Sequence, residues 1–246
     1  MLKTEDSLLT NYNFFDKPLS TLSEEKLLIY AINAHSFNVS KVDPKFREAM
    51  LYNKTILLPD GIGVVWGLNW LKNISMKRIT GMDLMFYEFE KLERQKGKCF
   101  FIGSSESTLT GIKSKINTQY PNIQIAYYSP PFAASFTYEE NKTMVDKINS
   151  FKPDVLFVGM TAPKQEKWAY ENFNALETGH ICCIGAAFDF YSGTLRRAPE
   201  WMMKSGLEWL YRLIKEPVRM FRRYVIGHPK FIYYIFREKK LIKKST

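Results

Sequence analysis

The chain has 246 residues, 35 Lys and Arg against 25 Asp and Glu, and a hydrophobic fraction of 46%. That length and apolar content suffice for a sizeable core, which excludes a disordered chain, a collagen-like repeat and an all-helical array. The only cysteines, Cys99, Cys182 and Cys183, exclude a disulfide framework and predict reduced, buried thiols.

The start of the chain carries charges where a signal peptide would be apolar. Lys3, Glu5 and Asp6 all fall within its first residues. No uninterrupted apolar stretch of the sequence reaches the roughly 18 residues that cross a bilayer. We therefore expect a cytosolic protein that does not span a membrane.

Short β-rich runs alternate with helix-like segments up to residue 190, a pattern typical of parallel strands joined by helical crossovers. Strands are predicted over 27–33, 55–58, 98–102, 123–128, 155–159 and 180–185, and helices near 36–52, 62–72, 81–96, 105–119, 138–150 and 163–174. Capping boxes at Thr80 to Asp83 and Thr137 to Glu140 support two of the helix starts. The pattern predicts an α/β fold: a Rossmann-like, open, mostly parallel sheet with helices on both faces.

The strand signals stop after Gly193, and the rest of the chain predicts a helical, basic appendage. Helices are expected near 199–208, 210–226 and 229–240, with Pro217 starting or kinking a helix. Residues 196–246 hold 14 Lys and Arg against 4 Asp and Glu, so they carry the whole net charge of +10. We accordingly divide the chain into an α/β domain, 1–195, and an appendage, 196–246.

Aromatic residues such as Trp209, Tyr224 and Phe236 are interleaved with these bases. That mixture suits an anionic membrane surface with an apolar interior, such as the inner leaflet. Two alternatives stay open: the aromatics form the core of a helical subdomain with the bases as its solvated face, or the segment binds nucleic acid. The basic region lacks helix-turn-helix, zinc-ligand and RNP motifs, which counts against nucleic acid.

Ligands of an open parallel sheet bind at the carboxyl ends of its strands, so the residues after each strand are the site candidates. Asp60, followed by Gly61 and Gly63, suits a general base or a helix N-cap. Gly103 opens a small polar loop before a helix, which suits a phosphate or ribose but also resembles an ordinary turn.

Two further strand ends present polar residues. Lys164 and Gln165 follow Pro163 at a helix start, where the positive end of the helix lies. Asp189 sits among apolar neighbours, either as a functional carboxylate or as a buried cap of local backbone. No Asp-x-Asp and no metal-ligand spacing of His and Cys occurs in the sequence, so we predict neither a metal nor a cofactor.

Seven motifs between Leu27 and Phe236 together resemble the bacterial WecG/TagA/CpsF glycosyltransferases, glycosyltransferase family 26. In order they are Asp43-Pro-x-Phe-Arg47, Leu58-Pro-Asp-Gly-x-Gly-Val-Val-Trp66, Arg78-x-Thr-Gly-x-Asp-Leu84, Ala162-Pro-Lys-Gln-Glu166, Phe188-Asp-Phe-x-x-Gly193, Arg197-Ala-Pro-x-Trp-Met202 and a block from Gly206 to Tyr224.

The resemblance implies an inverting, metal-independent enzyme. It would move a hexose, N-acetylhexosamine or uronic acid from a UDP-sugar to an undecaprenyl-diphosphate-linked glycan, in surface polysaccharide or teichoic acid synthesis. The enzyme would work at the cytoplasmic membrane face, bound peripherally to the anionic inner leaflet. Whether it forms a homo-oligomer is a question that the resemblance leaves open. The rival functions are a non-catalytic nucleotide-sugar binding protein and a nucleic-acid-binding module.

The positions that match the family motifs imply a role for each of the following residues. The resemblance implies that Asp60 is the catalytic base and that Asp189 belongs to the nucleotide site. The residues beside the donor sugar are Asn33, Arg78 and Gln165. The appendage arginines that close over the diphosphate are Arg212, Arg219 and Arg222.

Two details bear on these assignments. Many members of the family have a Thr-x-Asn-Pro pattern, and this chain has Ala31 in place of the threonine before Asn33. Because the threonine hydroxyl is missing, the donor sugar can be one other than N-acetylmannosamine. If residues 210–224 formed one helix, Arg212, Arg219 and Arg223 would share a face at spacings of seven and four.

Overall fold

The computed structural model describes residues 8–245, so Lys3, Glu5 and Asp6 lie outside the described part. All six predicted strands are present: β1 Leu27–Ile32, β2 Thr55–Pro59, β3 Lys98–Gly103, β4 Gln124–Tyr128, β5 Val155–Gly159 and β6 His180–Cys183. They form one sheet in the order β2-β1-β6-β5-β3-β4, and every neighbouring pair is parallel. The predicted open, mostly parallel sheet is confirmed.

Helices cover both faces of the sheet, as predicted. They are α1 Ala34–Ser40, α2 Pro44–Leu51, α3 Ile62–Lys72, α4 Gly81–Gln95, α5 Glu106–Gln119, α6 Tyr138–Phe151, α7 Lys164–Glu171 and α8 Ala187–Ser192. One core lies under α1, α2, α3, α6 and α7, and a second lies under α4, α5 and α8. Burial on both faces explains why the strands are almost uninterrupted apolar runs.

Local signals account for several helix starts. Both capping boxes form: Thr80 begins α4 and Thr137 begins α6, each with reciprocal bonds to the acidic residue three positions later. The cysteines Cys99, Cys182 and Cys183 lie in buried strands and are unpaired, as expected.

The single helix predicted over 36–52 is wrong, because the structure has two helices there, α1 and α2. The break falls at Asp43, whose backbone is extended with φ −110° and ψ 100°. A residue before proline is driven out of the helical region by the proline ring. Asp43 therefore caps the second helix, its Oδ1 accepting a bond from the backbone N of Phe46 at 3.0 Å.

The predicted helical appendage is confirmed, with different boundaries. Its elements are α9 Glu200–Lys204, α10 Glu208–Lys215, α11 Pro217–Phe221, a π-helical turn Arg222–Ile226 and α12 Gly227–Ser245. The helix expected over 210–226 is interrupted at Glu216, which has φ −134° and ψ 60° directly before Pro217. Within residues 8–245, no helix combines the length and apolarity that a membrane crossing needs.

The last helix, α12, is fixed to the α/β layer by buried contacts. Phe231 and Ile235 join the core beneath α1 and α3. The buried Glu238 carboxylate accepts bonds from the backbone N atoms of Leu9 and Thr10 at 2.8 and 2.9 Å. These contacts hold the carboxyl-terminal segment, residues 196–245, against the α/β layer.

Candidate active site

The loops that leave β1 and β2 place Asn33 and Asp60 side by side. Ile32 and Pro59, the last residues of these strands, are paired in the sheet, so the next residues emerge together. Asn33 caps α1 by accepting bonds from the backbone N atoms of His35 and Ser36. A Cβ on Gly61 would lie 3.1 Å from the Cβ of Asn33, so glycine permits this close approach.

Asp60 is not a helix cap. The N-cap of α3 is Gly61, and no side chain caps that helix. The Asp60 carboxylate instead accepts a long bond from Nη2 of Arg78 at 3.4 Å, and 26% of its side-chain surface stays exposed. The alternative of a capping Asp is thereby excluded, and the carboxylate is free to meet a ligand.

Arg78 joins Asp60 to the carboxyl-terminal segment. The same Nη2 atom donates a shorter bond, 2.9 Å, to Oε2 of Glu208 at the start of α10. Burial lowers the pKa of Arg78, but the two carboxylates outweigh it and raise that pKa overall. The guanidinium is therefore a permanent cation shared by two acids.

Asp60 is placed to act as a base near neutral pH. Burial raises the pKa of Asp60 to about 6, against the opposing effect of Arg78 and with help from Glu208 and Asp83. A general base is most effective when its pKa lies near the working pH, because it is then both ionised and able to hold a proton. The Asp60 carboxylate meets both conditions.

A second cluster of charges lies where the carboxyl-terminal segment faces α8. Asp189 stands in the first turn of α8, half-buried. Burial raises the pKa of Asp189, while Arg219 and Arg212 act in the opposite direction. The guanidinium of Arg212 lies 5.8 Å from the centre of the Phe190 ring. Arg212 and Phe190 thus place a cation beside an aromatic ring, partners that suit an anion and a flat ring.

A cleft of about 310 Å³ opens between α8 and α10. Its lining residues are Phe190, Leu195, Arg196, Tyr211, Arg212, Lys215 and Glu216. Three of these residues are cations, one is an acid and two are aromatic. The cleft thus offers cations for a diphosphate and aromatic surface for a base or sugar.

Arg223 belongs to the interior of the site. It is half-buried in the π-helical turn, whereas its neighbour Arg222 is exposed. Burial lowers the pKa of Arg223, as do Arg212 and Arg219, while Asp60 raises it. π-Helical turns widen a helix locally and often occur at functional sites. The turn places one arginine inward and the adjacent arginine in solvent.

Gln165 and Glu166 lie at the start of α7, where Arg223 acts electrostatically on Glu166. Gln165 accepts a bond from the backbone N of Met160 at 3.1 Å and donates to Oε1 of Glu166 at 2.8 Å. Glu166 is almost fully buried, and burial raises its pKa to about 7, opposed by Gln165 and by Arg223. Hydrogen bonds to the amide oxygen and from the amide nitrogen therefore fix the orientation of the Gln165 side chain.

Three further predicted site residues, Gly103, Lys164 and Arg222, have surroundings of their own. Gly103, with φ +98°, ends β3 against the carbonyl of Gly159, where a Cβ would be 2.5 Å away. Lys164 donates to the carbonyl of Ala133 and lies 3.6 Å from the Phe136 ring centre. Arg222 points to solvent, so within the described residues Arg223 is the inward-facing member of this arginine pair.

Sequence reasoning singled out neither Glu166 nor Glu208 as a site residue. The shared face predicted for Arg212, Arg219 and Arg223 required one helix over 210–224, and that helix is interrupted at Glu216. The three arginines nevertheless lie close enough to interact electrostatically. Glu208 stands two residues after Gly206 in a family-like motif, but nothing local identifies its partner 130 residues earlier. No group of three or more His, Cys, Asp or Glu able to hold a metal occurs within residues 8–245.

Comparisons with known proteins agree on one family. The family model described as "Glycosyl transferase WecG/TagA/CpsF family" matches residues 8–245. A Bacillus subtilis (strain 168) protein is 35% identical over 192 residues, 78% of this chain and 72% of its own length. A Staphylococcus aureus (strain MW2) protein is 30% identical over 223 residues, 91% of this chain and 85% of its own length. Both are named N-acetylglucosaminyldiphosphoundecaprenol N-acetyl-beta-D-mannosaminyltransferase.

Proposed function

Because the chain belongs to the glycosyl transferase WecG/TagA/CpsF family, we propose that it moves a sugar from a UDP-sugar to an undecaprenyl-diphosphate-linked glycan, with inversion and without a metal ion. The family membership confirms the resemblance seen in the motifs, and the chain is a glycosyltransferase. The observation that carries the finer proposal is the Asp60 carboxylate, ionisable near pH 6, at the same end of the sheet as Arg212, Arg219 and Arg223.

In the proposed reaction Asp60 takes the proton from an acceptor hydroxyl. That oxygen forms the new bond to the anomeric carbon, while the bond from this carbon to the UDP oxygen breaks on the opposite face. The bonding electrons leave with UDP, whose added negative charge needs cations. Arg212 and Arg219 supply guanidinium groups near Asp189, and the planar fork of arginine suits phosphate oxygens. The proton ends on Asp60 and passes to solvent.

The remaining predicted residues divide between sugar and nucleotide in this proposal. Asn33, Arg78 and Gln165 face the donor sugar, since Asn33 adjoins Asp60 and Arg78 bonds to it. Asp189 belongs to the nucleotide, with Gly103 and Lys164 at neighbouring strand ends. We retain Arg222 as a predicted contributor, with Arg223 as the arginine that the fold turns inward.

The names of the relatives guide the choice of acceptor and donor to test. N-Acetylglucosaminyl-diphospho-undecaprenol is the first acceptor to test, and N-acetylmannosamine is the first donor sugar. Ala31, two residues before Asn33, offers no side-chain hydroxyl, so hexose and uronic acid donors stay in the panel. Surface polysaccharide or teichoic acid synthesis is the process that such a product would serve.

A transfer assay tests the function directly. We expect the protein to transfer one sugar from a panel of UDP-sugars to a short-chain N-acetylglucosaminyl-diphosphate lipid, detected as a mass increase of the acceptor. EDTA should leave the rate unchanged, because arginines carry the leaving-group charge in this proposal. Loss of activity with EDTA and its return with magnesium or manganese would contradict the metal-independent mechanism. Binding of a UDP-sugar without any transfer would favour a non-catalytic binding protein.

Membrane association is the second part of the proposal, and the exposed face of α12 supports it. Ile232 and Phe236 stand one helical turn apart on this face, followed by the exposed Lys240 and Lys243. Trp66 of α3 extends the face, with its ring centre 6.4 Å from that of Phe236. Apolar side chains beside lysines match an anionic bilayer surface at the cytoplasmic membrane face.

A salt series with liposomes tests this surface. Each lysine near an anionic leaflet contributes about 1 kcal/mol, so Lys240→Ala with Lys243→Ala should weaken binding to anionic vesicles about thirtyfold. Neutral vesicles should bind weakly, and the control pair Lys17→Ala with Lys113→Ala should bind like the unchanged protein. Tighter, sequence-selective binding to duplex DNA at physiological salt would instead support a nucleic-acid module.

A further inference from the structure

Glu208 connects the carboxyl-terminal segment to Arg78 beside Asp60. It is the first residue of α10, a helix without a fully buried residue. Its own side chain is nevertheless only 16% exposed, and its Oε2 lies 2.9 Å from Nη2 of Arg78. A half-buried, charge-assisted bond of this length is stronger than an exposed ion pair.

Asp60 and Glu208 compete for one donor. Nη2 of Arg78 lies 3.4 Å from Asp60 and 2.9 Å from Glu208, so the guanidinium favours the acid from the carboxyl-terminal segment. A cation close to a carboxylate stabilises its ionised form and so makes it a weaker base. Holding Arg78 away from Asp60 therefore keeps the base stronger.

Three other charged groups act on Asp60, and none substitutes for Glu208. Arg78 itself lowers the pKa of Asp60, whereas Glu208 and Asp83 raise it. Asp83 is occupied by the capping box of α4, where its Oδ2 accepts from the backbone N of Thr80 at 2.7 Å. Arg223 interacts electrostatically with Asp60 from the π-helical turn. Glu208 is thus the one of these acids that the carboxyl-terminal segment brings.

We propose that Glu208 is a positioning residue that draws Arg78 off Asp60 and so couples packing of the carboxyl-terminal segment to the strength of the catalytic base. This inference rests on the proposed function, in which Asp60 is the base. When α10 leaves the site, Arg78 loses its nearer partner and pairs with Asp60. The base is then weakened until the segment that carries Arg212 and Arg219 returns. Deprotonation of the acceptor and neutralisation of the leaving group are thereby available at the same time.

The test is the pH dependence of kcat in Glu208→Gln. Glutamine keeps the shape of the side chain but removes the charge that holds Arg78. We expect the acid limb of the profile, which Asp60 sets, to move to lower pH in the variant. The plateau should also fall about threefold to tenfold, because a base of lower pKa accepts a proton less readily. A purely structural role would lower the plateau without moving the limb.

Two further variants make the result decisive. Glu208→Asp keeps the charge but is too short for the present contact, so its limb should lie between those of the unchanged protein and Glu208→Gln. Glu216→Gln, another acid of the same segment, pairs with Arg219 at 2.7 Å and should keep the original limb whatever its turnover. Should Glu208→Gln fail to fold, Glu208→Asp tests the same prediction, because its acid limb should also move to lower pH.

An unmoved limb in both Glu208 variants, or a limb moved to higher pH, would overturn the role of Glu208 and leave Asp60 as the base. Full activity of Asp60→Asn would instead overturn the proposed mechanism itself. The two failures are therefore distinguishable.

Discussion

Asp60→Asn is expected to lower the rate of sugar transfer about 10²- to 10⁴-fold while UDP binds almost as before. Asparagine keeps the size and polarity of the side chain but cannot accept the acceptor proton as a carboxylate does. Arg78 keeps its nearer bond to Glu208, so the surrounding charges stay in place. The rate is measured in the transfer assay, and UDP affinity by calorimetry.

The matched control is Asp16→Asn, which makes the same chemical change at an exposed position outside the site. It should retain normal transfer. Asp60→Asn with undiminished turnover would remove Asp60 from the mechanism. A large loss of UDP affinity in that variant would instead assign Asp60 to nucleotide binding.

Arg219→Ala is expected to reduce kcat about tenfold to 10²-fold, which is the second largest effect that we predict. Arg219 is 61% exposed and tethered to Glu216, so its guanidinium can move toward a diphosphate without breaking a core contact. Its charge already acts on the pKa of Asp189. The loss should appear in kcat more than in KM, because the leaving group gains negative charge in the transition state.

Lys243→Ala is the comparison, since it removes a cation from the far end of the same segment. With a water-soluble acceptor it should cost much less than Arg219→Ala, because an exposed lysine in the last turn of α12 has no part in neutralising UDP. Arg219→Lys should recover part of the rate, as the charge returns without the planar fork. A larger loss from Lys243→Ala than from Arg219→Ala would contradict leaving-group stabilisation by the segment.

The geometry gives the carboxyl-terminal segment two kinds of attachment. Helix α12 is held by the buried bond that Glu238 accepts from the backbone N of Leu9 and by a partly buried bond from Lys239 Nζ to the backbone carbonyl of Trp70 at 2.7 Å. Helix α10 has no fully buried residue and contacts the site through the ion pair of Glu208 with Arg78, while α9 and α11 bury Met202 and Met220. An element with few buried side chains and a charged contact to the site has the low local stability that opening for a substrate requires.

The sequence alone determined the sheet and the place of the catalytic candidate. Strand runs such as Val155–Gly159 are apolar throughout because both faces of a parallel sheet are buried, a signal that needs no knowledge of the partner strands. Capping boxes mark helix starts because two residues three positions apart satisfy the free amide hydrogens of the first turn. Asp60 was found because a polar residue directly after a buried strand must lie at the carboxyl edge of the sheet.

The tertiary structure decided which charges meet. Glu208 and Arg78 are 130 residues apart, and the half-buried Arg223 lies in a π-helical turn that no local pattern predicts. Glu166 is an almost fully buried acid, and its backbone carbonyl accepts a bond from the Tyr30 hydroxyl of the distant strand β1. Periodicity and capping depend on neighbours within a few positions, whereas ion pairing and burial depend on segments that only the folded chain brings together.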